Sequence, residues 1–152
     1  MSRSSRTFEI VDTLPEHVEH VAAHMRGSDA AECLTACGMD PHTALTESVA
    51  VSAFSKTILL AGEPAAIFGG AGSGTAWLLG TDAISRHPKA FWKASKAGLA
   101  MLLVWSRQLY NYVDARNTTS LRWLERLGAR IIRPPVPYGV EGRAFYRFEF
   151  GG

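Results

Sequence analysis

A chain of 152 residues is the length of one domain, spanning 1–152, and burial at that length reaches about 70% of the unfolded surface, enough for a core without staples. Its composition, 47% hydrophobic, 20% charged and 10% aromatic, excludes disorder and collagen-like repeats. A net charge of +2 is too mild to announce nucleic-acid binding, so any basic site has to be local.

The opening "MSRSSRTFEIVD" is basic but turns acidic before any long apolar run, so it does not read as a secretory signal. Thr7 to Val11 alternates and predicts a strand. Pro15 suits the first turn of a helix whose buried stripe is Leu14, Val18, Val21 and Met25. His17, His20 and His24 fall on one flank of that helix and are expected to face solvent. Their spacing could hold a transition metal, but no further ligand is placed beside them, so no metal is expected. Asp29 to Cys37 predicts a second helix ending at Gly38, with Cys33 and Cys37 as free thiols, and Pro41 to Val51 a third.

Three apolar runs follow, Thr57 to Ala61, Ala65 to Phe68, and Thr75 to Leu79 continuing toward Ile84; their turns predict an antiparallel meander. Within it, "FGGAGSGTAWLLG" resembles a phosphate-binding loop only in its glycines. It has no Lys beside them and runs into a strand instead of a helix, so the glycines are expected to shape a hairpin or bulge.

Pro88 to Leu109 predicts the longest helix, and the longest apolar run, Ala97 to Trp105, is too short to span a bilayer. Tyr110 to Val113 is a strand, and Asn117 to Leu127 a capped helix closed by Gly128. Ala129 to Ile132 and Ala144 to Phe150 are strands around the Pro-rich loop "RPPVPYGVEG". The order predicts an α+β, or mixed α/β, fold. Trp77, Trp92, Trp105 and Trp123 are expected to pack in the core.

From Ala83 to Val113 there is no acidic residue, while Arg86, Lys89, Lys93, Lys96 and Arg107 fall inside. A helix opening at Pro88 would aim unpaired N–H groups at an anion beside Arg86 and Lys89. The alternative is that the lysines form a solvated helix face.

"NTTSLRWLERLGA", after the strand "YNYVDA", resembles a signature of the GCN5-related N-acetyltransferase (GNAT) superfamily, in which an Asn after the fifth strand opens a helix of the form N-x-x-A-x-x-L-Y-x-x-x-G-F. Asn117, Ser120, Trp123, Leu124, Gly128 and Ala129 stand at the corresponding places, and the element order agrees along nearly the whole chain. The resemblance implies a twisted, mostly antiparallel sheet of six to seven strands flanked by helices. It also implies acetyl-coenzyme A held between splayed strands four and five, its pyrophosphate on a loop R/Q-x-x-G-x-G/A. The equivalent segment is Arg86 to Phe91, where Lys89 and Phe91 replace the two small residues. By the same resemblance Ile84, Arg86, Lys89, Ala90, Lys93, Asn117 and Ser120 are the candidate coenzyme contacts, with helix capping the other reading of Asn117 and Ser120. The family's catalytic Tyr is replaced by Leu124, and no catalytic residue is assigned; Tyr110, Tyr112 and Tyr138 could substitute only if the fold brings them in.

"AAECLTACGM", "GEPAAIFGG" and the closing "FYRFEFGG" resemble more closely the internal virion protein A family of short-tailed phages. That resemblance implies virion assembly with phage or host protein partners in the host cytoplasm or the particle, and a degenerate acetyl-coenzyme A site. The alternative is an active N-acetyltransferase acting on an amine. Neither a membrane span nor specific nucleic-acid binding is expected.

Overall fold

The computed structural model describes residues 7–152; the basic segment 1–6, with the reading that it is no secretory signal, lies outside them. The elements run β1 (Phe8–Asp12), α1 (Pro15–Ala23), α2 (Gly27–Glu32), a π-helical turn (Cys33–Cys37), α3 (Pro41–Val51), β2 (Ser52–Leu60), β3 (Glu63–Ala71) and β4 (Thr75–Gly80). After them come α4 (Ala83–Arg86), α5 (Pro88–Trp105), β5 (Gln108–Asp114), α6 (Thr118–Leu127), β6 (Arg130–Tyr138) and β7 (Arg143–Gly151). The seven strands form one sheet in the order β1-β2-β3-β4-β5-β7-β6, antiparallel at every seam except that between β4 and β5. This is the α+β architecture expected from the element order.

Alternation along the central strands supplies two cores, one on each face. Ile58, Ala66, Phe68, Ala76, Leu109, Val113 and Phe148 meet Ala90, Phe91, Ala94 and Leu102 of α5 and Leu124 of α6 on one side. On the other side Ile67 packs with Val21 of α1 and Leu45 of α3, Trp77 and Leu79 lying against them. Helix starts follow local chemistry. The Asp40 side chain accepts from Thr43 N at 3.0 Å ahead of Pro41, and Asn117 Oδ1 accepts from Ser120 N at 3.1 Å. Gly128 closes α6 in the left-handed region, at φ 106°.

The glycine run has two structural reasons. Gly72, at φ 56°, turns the hairpin between β3 and β4. Gly70 is a strand residue: the Trp105 ring lies 2.5 Å from where a Cβ would stand, so only glycine lets α5 end against the sheet.

Several local expectations are corrected. The second helix narrows to α2 and then widens into the π-helical turn before Gly38. The run after β4 turns into α4 before reaching Arg86, and α5 stops at Trp105, because Ser106 is extended and Leu109 is claimed by β5. The Pro-rich loop is largely strand: β6 is an edge whose register breaks between Ile132 and Val136, and Pro134 and Pro135 fall in that break, where no ladder donor is required.

His17, expected in solvent, is buried and its Nδ1 accepts from Leu14 N at 3.0 Å, while His20 and His24 stack at 4.4 Å. Among the described residues no group of three His, Cys, Asp or Glu is arranged to hold a metal. None of their helices is long and apolar enough to cross a membrane.

Candidate active site

The parallel seam is the one place where the sheet opens. β4 and β5 pair only at Thr75 and Tyr110, where Tyr110 N donates to Gly74 O at 2.9 Å. Beyond that point Asn111 bridges the strands: its Nδ2 donates to Ala76 O at 2.8 Å and its Oδ1 accepts from Tyr112 N at 2.8 Å. Backbone polarity alternates along a strand, so the even-numbered residues of β4 turn their N–H and C=O toward β5. Gly74 and Ala76 use those groups at the closed end of the V, and Leu78 presents its own to the gap.

Helix α2 lies over the open end of the V with a carboxylate for each strand. Asp29 Oδ2 accepts from Gly80 N at 2.8 Å on the β4 side and is gripped by Arg26, whose Nη2 lies 2.9 Å away. One helical turn on, Glu32 Oε1 accepts from Asp114 N at 3.1 Å on the β5 side and from Asn117 Nδ2 at 3.2 Å. The other Glu32 oxygen, Oε2, takes no hydrogen bond from the described residues. Burial pushes the Glu32 carboxyl up from its ordinary value, and the Asp29 and Asp114 charges add to the rise. Burial also pushes the Cys33 thiol up to about 12, so it stays protonated and unreactive at neutral pH.

A cavity of about 400 Å³ runs through the gap. On the α5 and α6 side its wall is Ser95, Leu99, Ser120, Trp123, Leu124 and Leu127; on the other it is Asp29, Glu32, Cys37, Glu47, Tyr112 and Tyr138. Thus one side is largely apolar and the other carries acids and phenols. Tyr112 and Tyr138 stack at 4.2 Å, and burial pushes the Tyr138 phenol up. The tip of the β6–β7 hairpin is tied to the π-helical turn by Val140 N donating to Ala36 O at 3.0 Å, which fixes Tyr138 at the mouth.

Of the residues expected to contact a coenzyme, Ser120 lines this cavity; Ile84, Arg86, Lys89, Ala90, Lys93 and Asn117 do not. Ile84 is buried beneath Gly80, and Ala90 is in the core. Arg86 Nη2 reaches both oxygens of Glu63, at 3.0 and 3.1 Å, and Lys89 and Lys93 are exposed. Asn117 spends its amide on Ser120 N and Glu32, a capping and bridging role. The sequence reading missed Glu32, Asp29, Leu78 and Asn111. Asn111, a polar residue midway along an otherwise apolar-flanked strand, was the one local signal.

Acetyl-coenzyme A, tested against these residues, fits in one half. The V and the free Leu78 backbone suit its pantetheine arm, which is an amide chain needing a strand-like partner. The pyrophosphate half keeps only part of its cradle. Ala83 N bonds Thr81 Oγ1, Ile84 N bonds Thr81 O, Ser85 N and Arg86 N bond Asp82 O, and His87 N bonds Ala83 O. The α4 turn has thereby consumed the amides ahead of α5, and in this segment only Lys89 N and Ala90 N, in the first turn of α5, are left without an acceptor among the described residues.

No family model matches the chain, and no curated protein matches it. Solved structures do. Ard1 from Thermoplasma volcanium is 14% identical with a TM-score of 0.71, covering 95% of this chain and 97% of that one. The ribosomal-protein-S18-alanine N-acetyltransferase from Escherichia coli is 13% identical, TM-score 0.67, covering 95% and 94%. RimL, a ribosomal L7/L12 alpha-N-protein acetyltransferase solved in complex with coenzyme A, is 11% identical, TM-score 0.67, covering 97% and 96%. The resemblance to phage internal virion proteins finds no support in these comparisons. At such identities the likeness speaks for architecture, and the chain has the fold of the GCN5-related N-acetyltransferases.

Proposed function

We propose that the protein is an N-acyltransferase that takes a pantetheine thioester into the gap between β4 and β5 and an amine from the α2 side. The observation that carries this reading is the gap itself: a parallel seam paired at one point, opening onto the unpaired backbone of Leu78. That a structural neighbour was solved with coenzyme A supports a pantetheine donor. A pantetheine thioester supplies an acyl carbon already activated toward an amine. Leu78 offers the arm a backbone N–H and C=O, and Asn111 holds the two strands at the V's apex.

Glu32 is the base. Its Oε1 is fixed by two donors and its Oε2 remains free to take a proton, while burial brings its affinity for that proton closer to neutrality. With Leu124 at the place of the family's phenol, Tyr112 or Tyr138 across the cavity is the group available to protonate the leaving thiolate. The acidic mouth, Glu32 with Glu47 beyond it, favours a cationic amine on approach.

A second reading, an assembly factor without catalysis, is favoured by the internally bonded α4 turn. Calorimetry with acetyl-S-pantetheine separates the two. Saturable binding that is lost when Leu78 is replaced by Pro, with release of free thiol in the presence of a peptide amine, supports the transferase; no binding at millimolar probe sinks it.

A further inference from the structure

The α5 and α6 surface outside the cavity wall is strongly cationic. Three lysines and no acid stand on α5, and Arg122 and Arg126 with a single acid, Glu125, on α6. Lys89, Lys93, Lys96, Arg122 and Arg126 are exposed, and none makes an ion pair among the described residues. These charges stand on the exposed faces of the two helices whose other residues wall the cavity. The Arg126 guanidinium lies 4.2 Å and Lys96 Nζ 5.5 Å from the centre of the Trp92 ring. The residue before Trp92 in the chain, Phe91, stacks on Trp123 at 5.7 Å, and Trp123 Nε1 donates to Ser95 Oγ at 3.2 Å inside the cavity wall.

Three facts then need one donor: a slot fit for a pantetheine arm, a backbone anion site cut down to the two amides of Lys89 and Ala90, and an unpaired cationic face on the helices that wall the slot. Free coenzyme A answers the first and leaves the second unexplained. We infer that the acyl donor is a phosphopantetheine thioester borne on an acidic carrier protein, which docks on the α5–α6 face and passes its arm into the gap. Such a donor carries one phosphodiester where the coenzyme carries a pyrophosphate and a nucleotide. Two helix-start amides and a lysine acting as a point charge suffice for that single phosphate. Charge complementarity with the carrier supplies the remainder and speeds encounter.

The step balances without an added reagent. The carbon–sulfur bond breaks as the carbon–nitrogen bond of the neutral amine forms, one amine proton passes to Glu32, and Tyr112 or Tyr138 gives a proton to the thiolate left on the carrier's arm. The proton on Glu32 restores the phenol, so the net transfer is one proton from nitrogen to sulfur. The inference rests on the acyl-transfer reading above, and the test separates the two. Binding is measured for three probes, acetylated holo-acyl carrier protein, acetyl-coenzyme A and acetyl-S-pantetheine, using wild type and the triple variant Lys89→Glu, Lys93→Glu, Lys96→Glu. The carrier is expected to bind wild type at least about tenfold more tightly than acetyl-coenzyme A, to weaken steeply with salt, and to lose about tenfold or more in the variant. Acetyl-S-pantetheine should bind both proteins alike, which also shows the variant folded.

Acetyl-coenzyme A binding as tightly as the carrier, or carrier binding indifferent to the three reversals, overturns the carrier inference and leaves the transferase standing. Tighter binding of single-stranded DNA than of the carrier overturns it too, as the mark of a surface for polyanions. Failure of all three probes takes both readings down.

Discussion

Asn111 Nδ2 and Ala76 O are joined at 2.8 Å across the parallel seam between β4 and β5, one residue past the last backbone pairing. With its Oδ1 closing Tyr112 N, one side chain stands in for two ladder bonds where the strands part. Asn111→Ala leaves an acceptor and a donor unpaired in a half-buried place. It should cost about 2 kcal/mol in urea unfolding. Asn111→Asp keeps the acceptor for Tyr112 N but sets a carboxylate against the Ala76 carbonyl, and should cost more. Equal stability in all three proteins would show that the apex of the V is held by something else.

Glu32 carries two opposite expectations. As a base it must be ionised, so the rate should rise with pH through a value above the ordinary 4.5, the direction in which burial moves it. For stability the sign is reversed. A carboxyl whose folded-state pKa is raised favours folding most below its unfolded value, and that contribution is lost as pH rises through the folded one. Glu32→Gln retains an oxygen for Asp114 N and Asn117 Nδ2 and removes the buried charge. The variant should therefore unfold at higher temperature than wild type at pH 7 to 8 while losing the acid limb of the rate profile. A parallel loss of rate and stability would point to a structural role instead.

Gly70 and Gly139 test close approach, each in a different part of the site's frame. A methyl at Gly70 would meet the Trp105 ring at 2.5 Å, and Gly70→Ala should cost about 1–3 kcal/mol as α5 is pushed off the sheet. At Gly139, φ 77° and an Ala36 Cα 2.5 Å from the added methyl forbid the side chain twice over. Gly139→Ala should free the hairpin tip from the π-helical turn. Limited proteolysis between Tyr138 and Arg143 reads that release.

The fold was legible because its signals are local and periodic: Pro15, Pro41 and Pro88 open helices where the sequence places them, and Gly128 closes one. The meander could be read from its turns. The site was not, because it is made at a seam between strands separated by α5. Nothing in "AAECLTAC" says that Glu32 will reach Asp114, 82 residues on, nor does "TAWLLG" say that Leu78 will face a gap. The ion pair of Arg86 was hidden for the same reason: its partner Glu63, 23 residues earlier, comes near only when β3 and α4 pack together.

Asp29 and Arg26 decide whether α2 is a fixed roof over the gap. Arg26 Nη2 lies 3.0 and 2.9 Å from the two Asp29 oxygens, and the Asp29 side chain is 7% exposed, so the pair is largely withdrawn from water. Removing one partner of such a pair strands the other. Asp29→Ala should cost on the order of 3 kcal/mol and release Gly80 N as well. Arg26→Ala should cost less, because Arg26 is more exposed and Asp29 keeps the Gly80 N–H and can hold its proton, which burial already favours. A double-mutant cycle by urea unfolding gives the coupling. A value near zero would mean that α2 is held by Glu32 alone, and hydrogen exchange at Gly80 should then stay slow in both single variants. Strong coupling with fast exchange at Gly80 in Asp29→Ala is the expected result.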